Sequence, residues 1–479
     1  MIHGYPPHHS LKRDLSAAAI RRPTKLPWGI DIVFDIYKNV RRHTVLDAAA
    51  FAYQRYGNTF YQRFMGGDFI NTIEPANIKV ILSTNFSDYD MGTRRRRASL
   101  PLLGLGIFNN DGEAWRRSRR LFRPAFKNNE LRSVEGLFEL HCKNLLSAIP
   151  RDGSSVDLSE LFFSYTMDVS TQYFFGNSAL SLLELGGSER AGRSAKVFSC
   201  AFATAQDRIR ENYVLGIIAS FRPRHKFKSD RRVVWDFVDH YVDGALKGRR
   251  PQKTSQYSVL DHMAETSQDA LELRSELLHL LLAARDTTAS LLGNLWLMIS
   301  QRQDVREAIL QEIKCLEGKP PTYDELKAFT YLLNCISEAL RLWPPVPLNS
   351  RTCVRATTLP MGGGLDGTTP LHIPVGTIVG WNTYALHRRA DIWGDDAHEF
   401  HPERWKAPFL PYYEYLPFSG GPRRCLGQEF AILETSYVTV RLLQEFGSGT
   451  IGSVDARPWT EKLTLTCSNL HGTKVRILP

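Results

Sequence analysis

Apolar positions follow two different spacings along the 479-residue chain. Residues 50–90 alternate short helical and strand-like runs, and the run at 69–73 is typical of a strand, which predicts a small sheet near the N-terminus. From about residue 110 to 345 the spacing is mostly helical. Within it, residues 271–299 are apolar on nearly every side, which predicts a helix through the middle of a large protein.

Glycines and prolines crowd together between about residues 346 and 415, which predicts strands and irregular loops there. The whole pattern therefore predicts a mainly α protein with a small β region. A chain of this length would normally form two or three domains, but no Gly/Ser- or Pro-rich linker divides its middle. We expect one large domain over residues 29–479, preceded by a basic, proline-bearing segment over residues 1–28.

Composition excludes several classes of protein. Apolar residues make up 43% and charged residues 23%, which is ordinary for a globular protein with a large core. The seven cysteines are scattered and show no Cys-x-x-Cys spacing, which fits a reducing compartment and argues against a disulfide scaffold or a zinc module. No run of 18 apolar residues occurs, and the apolar run at 15–20 is too short for a signal peptide or a membrane span.

The net charge of +10 comes partly from arginine clusters at 94–97, 116–123 and 222–232. Such clusters are often solvated faces. The alternatives are docking of an acidic partner, attraction to anionic lipid heads, and pairing with the carboxylates of a cofactor. We do not expect nucleic acid as a partner, because no recognisable nucleic-acid-binding motif accompanies the charge.

A glycine- and proline-rich segment near the C-terminus presents one cysteine. It reads Phe418-Ser419-Gly420-Gly421-Pro422-Arg423-Arg424-Cys425-Leu426-Gly427. Helical spacing from Leu426 onward predicts that Cys425 lies at a helix N-terminus, where the helix dipole favours a thiolate. A thiolate can bind haem iron, and Arg423 can meet a haem propionate. The alternative is an ordinary buried cysteine.

The fixed positions of this segment are Phe418, Gly421, Arg423, Cys425 and Gly427. By chance they would recur in a chain of this length on the order of once in 10^4 sequences. The segment resembles the haem-binding signature of the cytochrome P450 haem-thiolate proteins. That resemblance implies the fold of the family, haem b as the cofactor, Cys425 as the iron ligand, and Phe418, Arg423 and Gly427 as cofactor-binding residues.

Three residues elsewhere are candidates for contacts with the haem propionates. Trp115 and Arg119 are four apart on a basic helix and so share one face. They resemble the Trp-x-x-x-Arg element of the family, which implies that both donate to a propionate; the alternative is an aromatic–arginine stack on a surface helix. Arg351, in the predicted strand region, is the third candidate.

Polar residues interrupt the apolar central helix at Ala283-Ala284-Arg285-Asp286-Thr287-Thr288. Burying them is costly, so they need partners or a function. Asp286 and Thr287 together offer an acid and a hydroxyl that can relay protons to a bound oxygen species. The alternative is that Thr287 bonds to a carbonyl of its own helix and Asp286 pairs with an arginine. Ala284 stands where the family usually has glycine.

A further acidic residue is predicted to lie in a buried ion network. Glu338 and Arg341 are three apart on a predicted helix, so their side chains share one face. The resemblance implies that Arg404 joins them, and that this network holds the cysteine segment in place without taking part in the chemistry.

Within the family, several strings resemble the fungal class that hydroxylates alkanes and fatty acids. They are residues 26–31, 285–289, 342–347 and 362–367. This resemblance implies a monooxygenase that uses dioxygen to hydroxylate a hydrophobic substrate, a long acyl or alkyl chain, at or near its terminal carbon. The alternatives are a tailoring oxidase of a fungal secondary-metabolite pathway, a reductase-independent haem-thiolate isomerase or peroxygenase, and a non-catalytic haem binder.

No flavin or dinucleotide module is apparent in the chain, so we expect an NADPH-dependent flavoprotein reductase to supply electrons. The helix with Arg116, Arg117 and Arg120 is a candidate docking surface for it. Residues 21–29 resemble the hinge that follows the membrane anchor in microsomal members of the family. The resemblance therefore implies association with the endoplasmic reticulum membrane surface, without an anchor in this chain; otherwise we expect a cytoplasmic protein.

Overall fold

The computed structural model describes residues 19–185, 194–248, 258–406 and 413–478. The predicted segment 1–28 therefore lies largely outside the described residues, and its boundary stays a prediction. Helices account for 61% of the structure and the sheets are small, which confirms the predicted mainly α class.

The helices of the described residues are, in chain order, α1 (Ile30–Arg42), α2 (Val45–Tyr56), α3 (Pro75–Lys79), α4 (Gly92–Leu103), α5 (Gly112–Phe122), α6 (Asn128–Arg132), α7 (Glu135–Ala148), α8 (Leu158–Phe175), α9 (Ser181–Leu185), α10 (Ser194–Leu215), α11 (His225–Leu246), α12 (Val259–Thr266), α13 (Ala270–Gln301), α14 (Gln303–Ile313), α15 (Tyr323–Ala328), α16 (Thr330–Leu342), α17 (Thr383–Leu386), α18 (Ala390–Trp393) and α19 (Gln428–Phe446). The strands are β1 (Thr59–Phe64), β2 (Gly67–Thr72), β3 (Tyr89–Asp90), β4 (Ser155–Asp157), β5 (Leu348–Cys353), β6 (Thr357–Gly363), β7 (Thr369–Ile373), β8 (Ile378–Asn382), β9 (Thr450–Ser453), β10 (Glu461–Leu463), β11 (Cys467–Asn469) and β12 (Lys474–Leu478).

The chain forms two compact units. Among the described residues, the first contains 19–93, 346–399 and 413–425, and the second contains 94–185, 194–248, 258–345, 400–406 and 426–478.

A five-stranded sheet organises the first unit, in the order β1-β2-β8-β5-β3. Its β2–β8 pair is parallel, with Phe69 opposite Ile378, and its other pairs are antiparallel. Ile70 and Val379 have no exposed surface and belong to the core of this unit. The strand predicted at 69–73 is confirmed as β2, and the predicted strand region after residue 346 is confirmed as β5–β8.

The 32-residue helix α13 organises the second unit. Asp269 caps its N-terminus, because its carboxylate accepts hydrogen bonds from the backbone N–H groups of Leu271 (2.9 Å) and Glu272 (3.4 Å). The helix is buried on nearly every side and packs against α8. The central helix predicted at 271–299 is therefore confirmed, extended by one residue at its start and two at its end.

The helix after the cysteine segment begins later than predicted. Helix α19 starts at Gln428, not at Leu426, because Leu426 and Gly427 form a turn. Gly427 is its N-cap residue, with φ −87° and ψ 15°. Cys425 therefore precedes the helix cap and does not lie in its first turn.

The predicted ion network around Glu338 is confirmed within the second unit. Glu338 and Arg341 have no exposed surface, and the guanidinium of Arg341 donates two hydrogen bonds of 2.8 Å to the two carboxylate oxygens. Arg404 donates from Nε at 2.9 Å. The backbone N–H of His401 and the indole N–H of Trp405 complete the network at 2.9 and 3.0 Å.

Candidate active site

The cysteine segment of the first unit is fixed at a glycine. Gly421 has a φ of +64°, and a Cβ atom at this position would lie 1.8 Å from the carbonyl oxygen of Leu82. Any other residue would therefore displace one of the two backbones. The segment also closes on itself, since the backbone N–H of Cys425 donates to the carbonyl of Phe418 at 3.0 Å.

A buried histidine anchors the start of the same segment. The backbone N–H of Leu416 donates to Nε2 of His387 at 2.9 Å, and His387 has no exposed surface. The His387 ring packs against the rings of Trp393 and Tyr415, at centroid distances of 5.9 and 5.2 Å. His387 is not among the residues predicted from the sequence. Nothing in its local sequence signals a contact with a backbone group 29 residues later.

The side chain of Cys425, in this segment, is exposed. All seven cysteines lie within the described residues, and none is joined to another by a disulfide bond. Cys425 is exposed, as are Cys200 and Cys315. An accessible sulfur donor on a loop held by Gly421 is suited to binding haem iron, whereas a buried packing role does not fit its exposure. Phe418 and Arg423 are half-buried in the same segment.

Arg351 lies on β5 and is 3% exposed. Its Nη1 donates to the carbonyl of Ser350 at 2.8 Å and to Oδ1 of Asn349 at 3.2 Å. Its guanidinium lies over the Trp381 ring, 5.3 Å from the centroid. Part of its donor capacity therefore serves its own strand, and its predicted contact with a propionate stays a prediction.

In the second unit, the central helix opens at one place. Between residues 276 and 297, all of which the structure describes, only Ala283, Ala284 and Thr287 are not buried. Residues spaced by three and four positions share one helix face, so these three form a single patch. We call this patch the open face of α13.

The acid and the hydroxyl of the predicted relay have separate partners. The hydroxyl of Thr287 donates to the carbonyl of Ala283 at 2.5 Å. Asp286 is 5% exposed, and its carboxylate accepts from Arg285 at 2.8 Å and from the amide of Gln206 at 2.9 Å. Both contacts of the alternative interpretation are therefore present. Thr287 is on the open face, and Asp286 is held in a buried ion pair beside it.

Trp115 and Arg119 share one face of α5, as predicted. The guanidinium of Arg119 lies 5.9 Å from the centroid of the Trp115 ring, and Trp115 is 6% exposed. This is the stacked arrangement of the alternative interpretation. Their predicted contacts with a propionate, and the predicted role of Gly427, stay predictions.

The basic face of α5 carries its own counter-charges. Arg116 and Arg120 both pair with Glu113, at 3.4 and 2.7 Å, and Arg117 pairs with Glu272 at 3.0 Å. These three arginines and two glutamates together carry a net charge of +1. Because the arginine side chains are 58–66% exposed, these pairs are weak and exchangeable.

Comparison with known proteins identifies the class. The family model for cytochrome P450 matches residues 30–470, and the chain belongs to this haem-thiolate family. It is accordingly a monooxygenase, an oxidoreductase that incorporates oxygen, and its cofactor is haem b. No helix among the described residues is long and apolar enough to span a membrane.

The relatives include fungal enzymes. Cytochrome P450 monooxygenase fsdH of Fusarium heterosporum is 40% identical, over 96% of this chain and 82% of that protein. Cytochrome P450 monooxygenase himC of Aspergillus japonicus is 39% identical, over 94% and 81%. Cytochrome P450 52A5 of Candida maltosa is 35% identical, over 98% and 93%.

Proposed function

We propose that Cys425 is the thiolate ligand of the haem iron, and that the enzyme hydroxylates a long acyl or alkyl chain at or near its terminal carbon. The exposed thiol on a segment held by Gly421 carries the first part of this proposal. The resemblance of the sequence to the fungal alkane- and fatty-acid-hydroxylating class supports the second part.

The haem, when bound, supplies the iron at which dioxygen is activated. The residues proposed to hold it are Cys425 for the iron, Arg351, Arg423, Trp115 and Arg119 for the propionates, and Phe418 and Gly427 for packing against the ring. Thiolate, guanidinium and indole N–H are chemically suited to these tasks.

The open face of α13 supports a role for Thr287 in proton delivery. Its hydroxyl is the polar group of this face, and rotation about χ1 would redirect its proton from the Ala283 carbonyl toward the open side. Asp286 lies next in sequence, and its carboxylate would need to leave its ion pair with Arg285 and take up a proton from water before it could resupply that proton. Thr287 is therefore the immediate donor and Asp286 the reserve acid.

Replacing Thr287 by alanine is expected to lower product formation about 10²-fold, the lower end of what a positioned proton donor supplies. Electrons would be diverted to hydrogen peroxide. Thr287→Ser, which keeps the hydroxyl, should retain most of the product. Product and peroxide formed per NADPH consumed measure the effect. Undiminished product in Thr287→Ala, without peroxide release, would rule out this role.

Electrons are proposed to come from an NADPH-dependent flavoprotein reductase that docks on the basic face of α5. We expect Arg116→Glu with Arg120→Glu to lower the rate at limiting reductase about tenfold, because steering by charge acts on association. Glu113→Gln removes the counter-charge of both arginines and should raise that rate. Peroxide-driven turnover is the control, since it needs no reductase. Equal loss in both assays would exclude docking here.

A second candidate function is a tailoring oxidation in a fungal secondary-metabolite pathway. The chain is no less similar to fsdH and himC, at 40% and 39% identity, than to cytochrome P450 52A5, at 35%, so sequence identity alone does not single out one substrate class. Spectral shifts on binding fatty acids, alkanes and aromatic polyketides separate the two functions.

We also propose that the protein resides at the endoplasmic reticulum membrane surface. Two large apolar side chains support this: Trp28, just before α1, is 65% exposed, and Phe34, in α1, is 63% exposed. Failure to co-sediment with microsomes would exclude it.

A further inference from the structure

Residues 104–110 form a loop that lies unusually close to the central helix within the second unit. Gly104 has a φ of +71°, and a Cβ atom there would lie 2.1 Å from Oγ of Ser275. A Cβ atom at Gly106 would lie 2.8 Å from the ring of His279 and 2.9 Å from Oε2 of Glu276. Side chains are therefore excluded at both glycines, and the loop backbone reaches the polar groups of α13 directly.

Two side chains of α13 hold this backbone. The N–H of Ile107 donates to Oε2 of Glu276 at 3.2 Å, and the N–H of Phe108 donates to Nδ1 of His279, also at 3.2 Å. The ring of Phe108 stacks on that of His279, with centroids 5.4 Å apart and planes 29° apart. We call Glu276 and His279 the latch.

The latch is almost completely buried and is braced from neighbouring elements. Glu276 is 3% exposed and His279 has no exposed surface. The hydroxyl of Ser118, on α5, donates to the second carboxylate oxygen of Glu276. Within the loop, Asn109 closes the turn by accepting from the N–H of Gly106 at 2.9 Å. The hydrogen bond to Asn109 therefore fixes the shape of the turn, and the hydrogen bonds to the latch fix its position against α13.

The latch adjoins the open face of α13. His279, Ala283 and Thr287 are spaced by four residues, so they form one row along the helix. One turn, about 6 Å of rise, separates His279 from Ala283. The loop is therefore held one helical turn before the open face. Leu105, within the loop, is 50% exposed.

We propose that Glu276 and His279 are positioning residues that hold the loop 104–110 beside the open face, and that the loop thereby governs how tightly a substrate binds there. The effect on substrate binding rests on the proposed function, because it takes the open face to be where the substrate meets Thr287. The position of the loop does not depend on that function.

Both groups of the latch can accept hydrogen bonds from the loop near neutral pH. Burial, helped by the charge of Arg95 and opposed by a hydrogen bond with the Gly104 backbone, lowers the pKa of His279 to about 4, so the ring is neutral near pH 7. The neutral ring carries one proton, and with that proton on Nε2 its Nδ1 accepts from the Phe108 N–H. Burial raises the pKa of Glu276 to about 7, with Glu272 adding to the rise while Ser118, Ile107 and Arg117 oppose it. A neutral carboxyl still accepts through its carbonyl oxygen, so the loop contact persists across this titration.

Hydrogen exchange of the haem-loaded enzyme tests the latch. His279→Phe keeps the ring stack and removes the acceptor, whereas His279→Asn places an amide oxygen where Nδ1 was. We expect the amides of Ile107 and Phe108 to exchange about tenfold faster in His279→Phe and nearly as in the wild type in His279→Asn. Glu276→Met and Glu276→Gln form a second, independent pair, which is readable if His279→Phe fails to fold.

Substrate affinity, read from the spectral shift on titration with fatty acids, alkanes and aromatic polyketides, tests the effect of the latch on binding. We expect an affinity about tenfold weaker in His279→Phe and Glu276→Met, with both amide variants close to the wild type. Unchanged exchange in both acceptor-less variants would overturn the latch. Faster exchange with unchanged affinity would overturn its role in binding. Hydrogen exchange is measured without substrate, so it still tests the latch if the acyl-chain assignment is wrong. An error in that assignment would appear only in the binding spectra.

Discussion

Replacing Cys425 by serine is expected to abolish reductase-supported turnover while leaving the fold intact. The segment is held by contacts that do not involve the sulfur: the close approach of Gly421 to the Leu82 carbonyl and the hydrogen bond from Leu416 to His387. A serine hydroxyl is a far weaker iron ligand than a thiolate and donates less electron density toward O–O cleavage. Product formation with reductase and NADPH, together with circular dichroism, measures the effect.

Two other cysteines provide matched controls for this experiment. Cys200 and Cys315 are also exposed, but neither lies in the glycine-rich segment. Cys200→Ser and Cys315→Ser should retain full turnover, since they remove an accessible thiol without touching the proposed ligand. Turnover that survives in Cys425→Ser, or that is lost equally in a control, would contradict the assignment.

Replacing Glu338 by alanine is expected to destabilise the protein by about 3–5 kcal/mol, the usual cost of removing one partner from a buried ion network. The change would leave Arg341, which has no exposed surface, without its carboxylate, and it would remove the acceptor of Arg404, His401 and Trp405. The free energy of unfolding from denaturant titration measures it. Glu113→Ala, which breaks only exposed pairs, is the control and should leave stability almost unchanged.

The same network sets the sign of a pH dependence. Burial acts to raise the pKa of Glu338, but the hydrogen bonds and charges of Arg341, His401 and Arg404 outweigh it and hold the pKa below its ordinary value of 4.5. Because this pKa is lowered, the contribution of the Glu338 carboxylate to the free energy of unfolding is complete above about pH 4.5 and is lost at lower pH. The difference in free energy of unfolding between the wild type and Glu338→Ala should therefore become smaller as the pH falls below this value. A difference that does not change with pH would contradict this role of Glu338.

Features that depend on local spacing were predicted well from the sequence. The central helix, the strand at 69–73 and the pairing of Glu338 with Arg341 all follow from periodicities of two or of three to four residues. The start of α19 was placed two residues early, because the apolar spacing from Leu426 fits a helix while the Leu426–Gly427 pair forms a turn. Helix ends are set by capping geometry, which periodicity does not encode.

Contacts between distant parts of the chain were not predictable in this way. Asp286 accepts from Gln206, 80 residues away, and the loop N–H groups of Ile107 and Phe108 meet side chains about 170 residues later. The local signal for the latch is a pair of ionisable residues, Glu276 and His279, in a stretch of the helix whose neighbouring residues 277, 278 and 280–282 are all leucine. Such residues need partners when buried, so this signal could have flagged the latch without identifying the loop that it holds.

The difference spectrum of the reduced, carbon-monoxide-bound protein tests the assignment of Cys425 most directly. A thiolate ligand shifts the main absorbance band of carbon-monoxide-bound haem strongly to longer wavelength, and a nitrogen or oxygen ligand does not. We expect this shifted band in the wild type, Cys200→Ser and Cys315→Ser, and its absence in Cys425→Ser. A shifted band that persists in Cys425→Ser would show that another group holds the iron and would contradict the central claim.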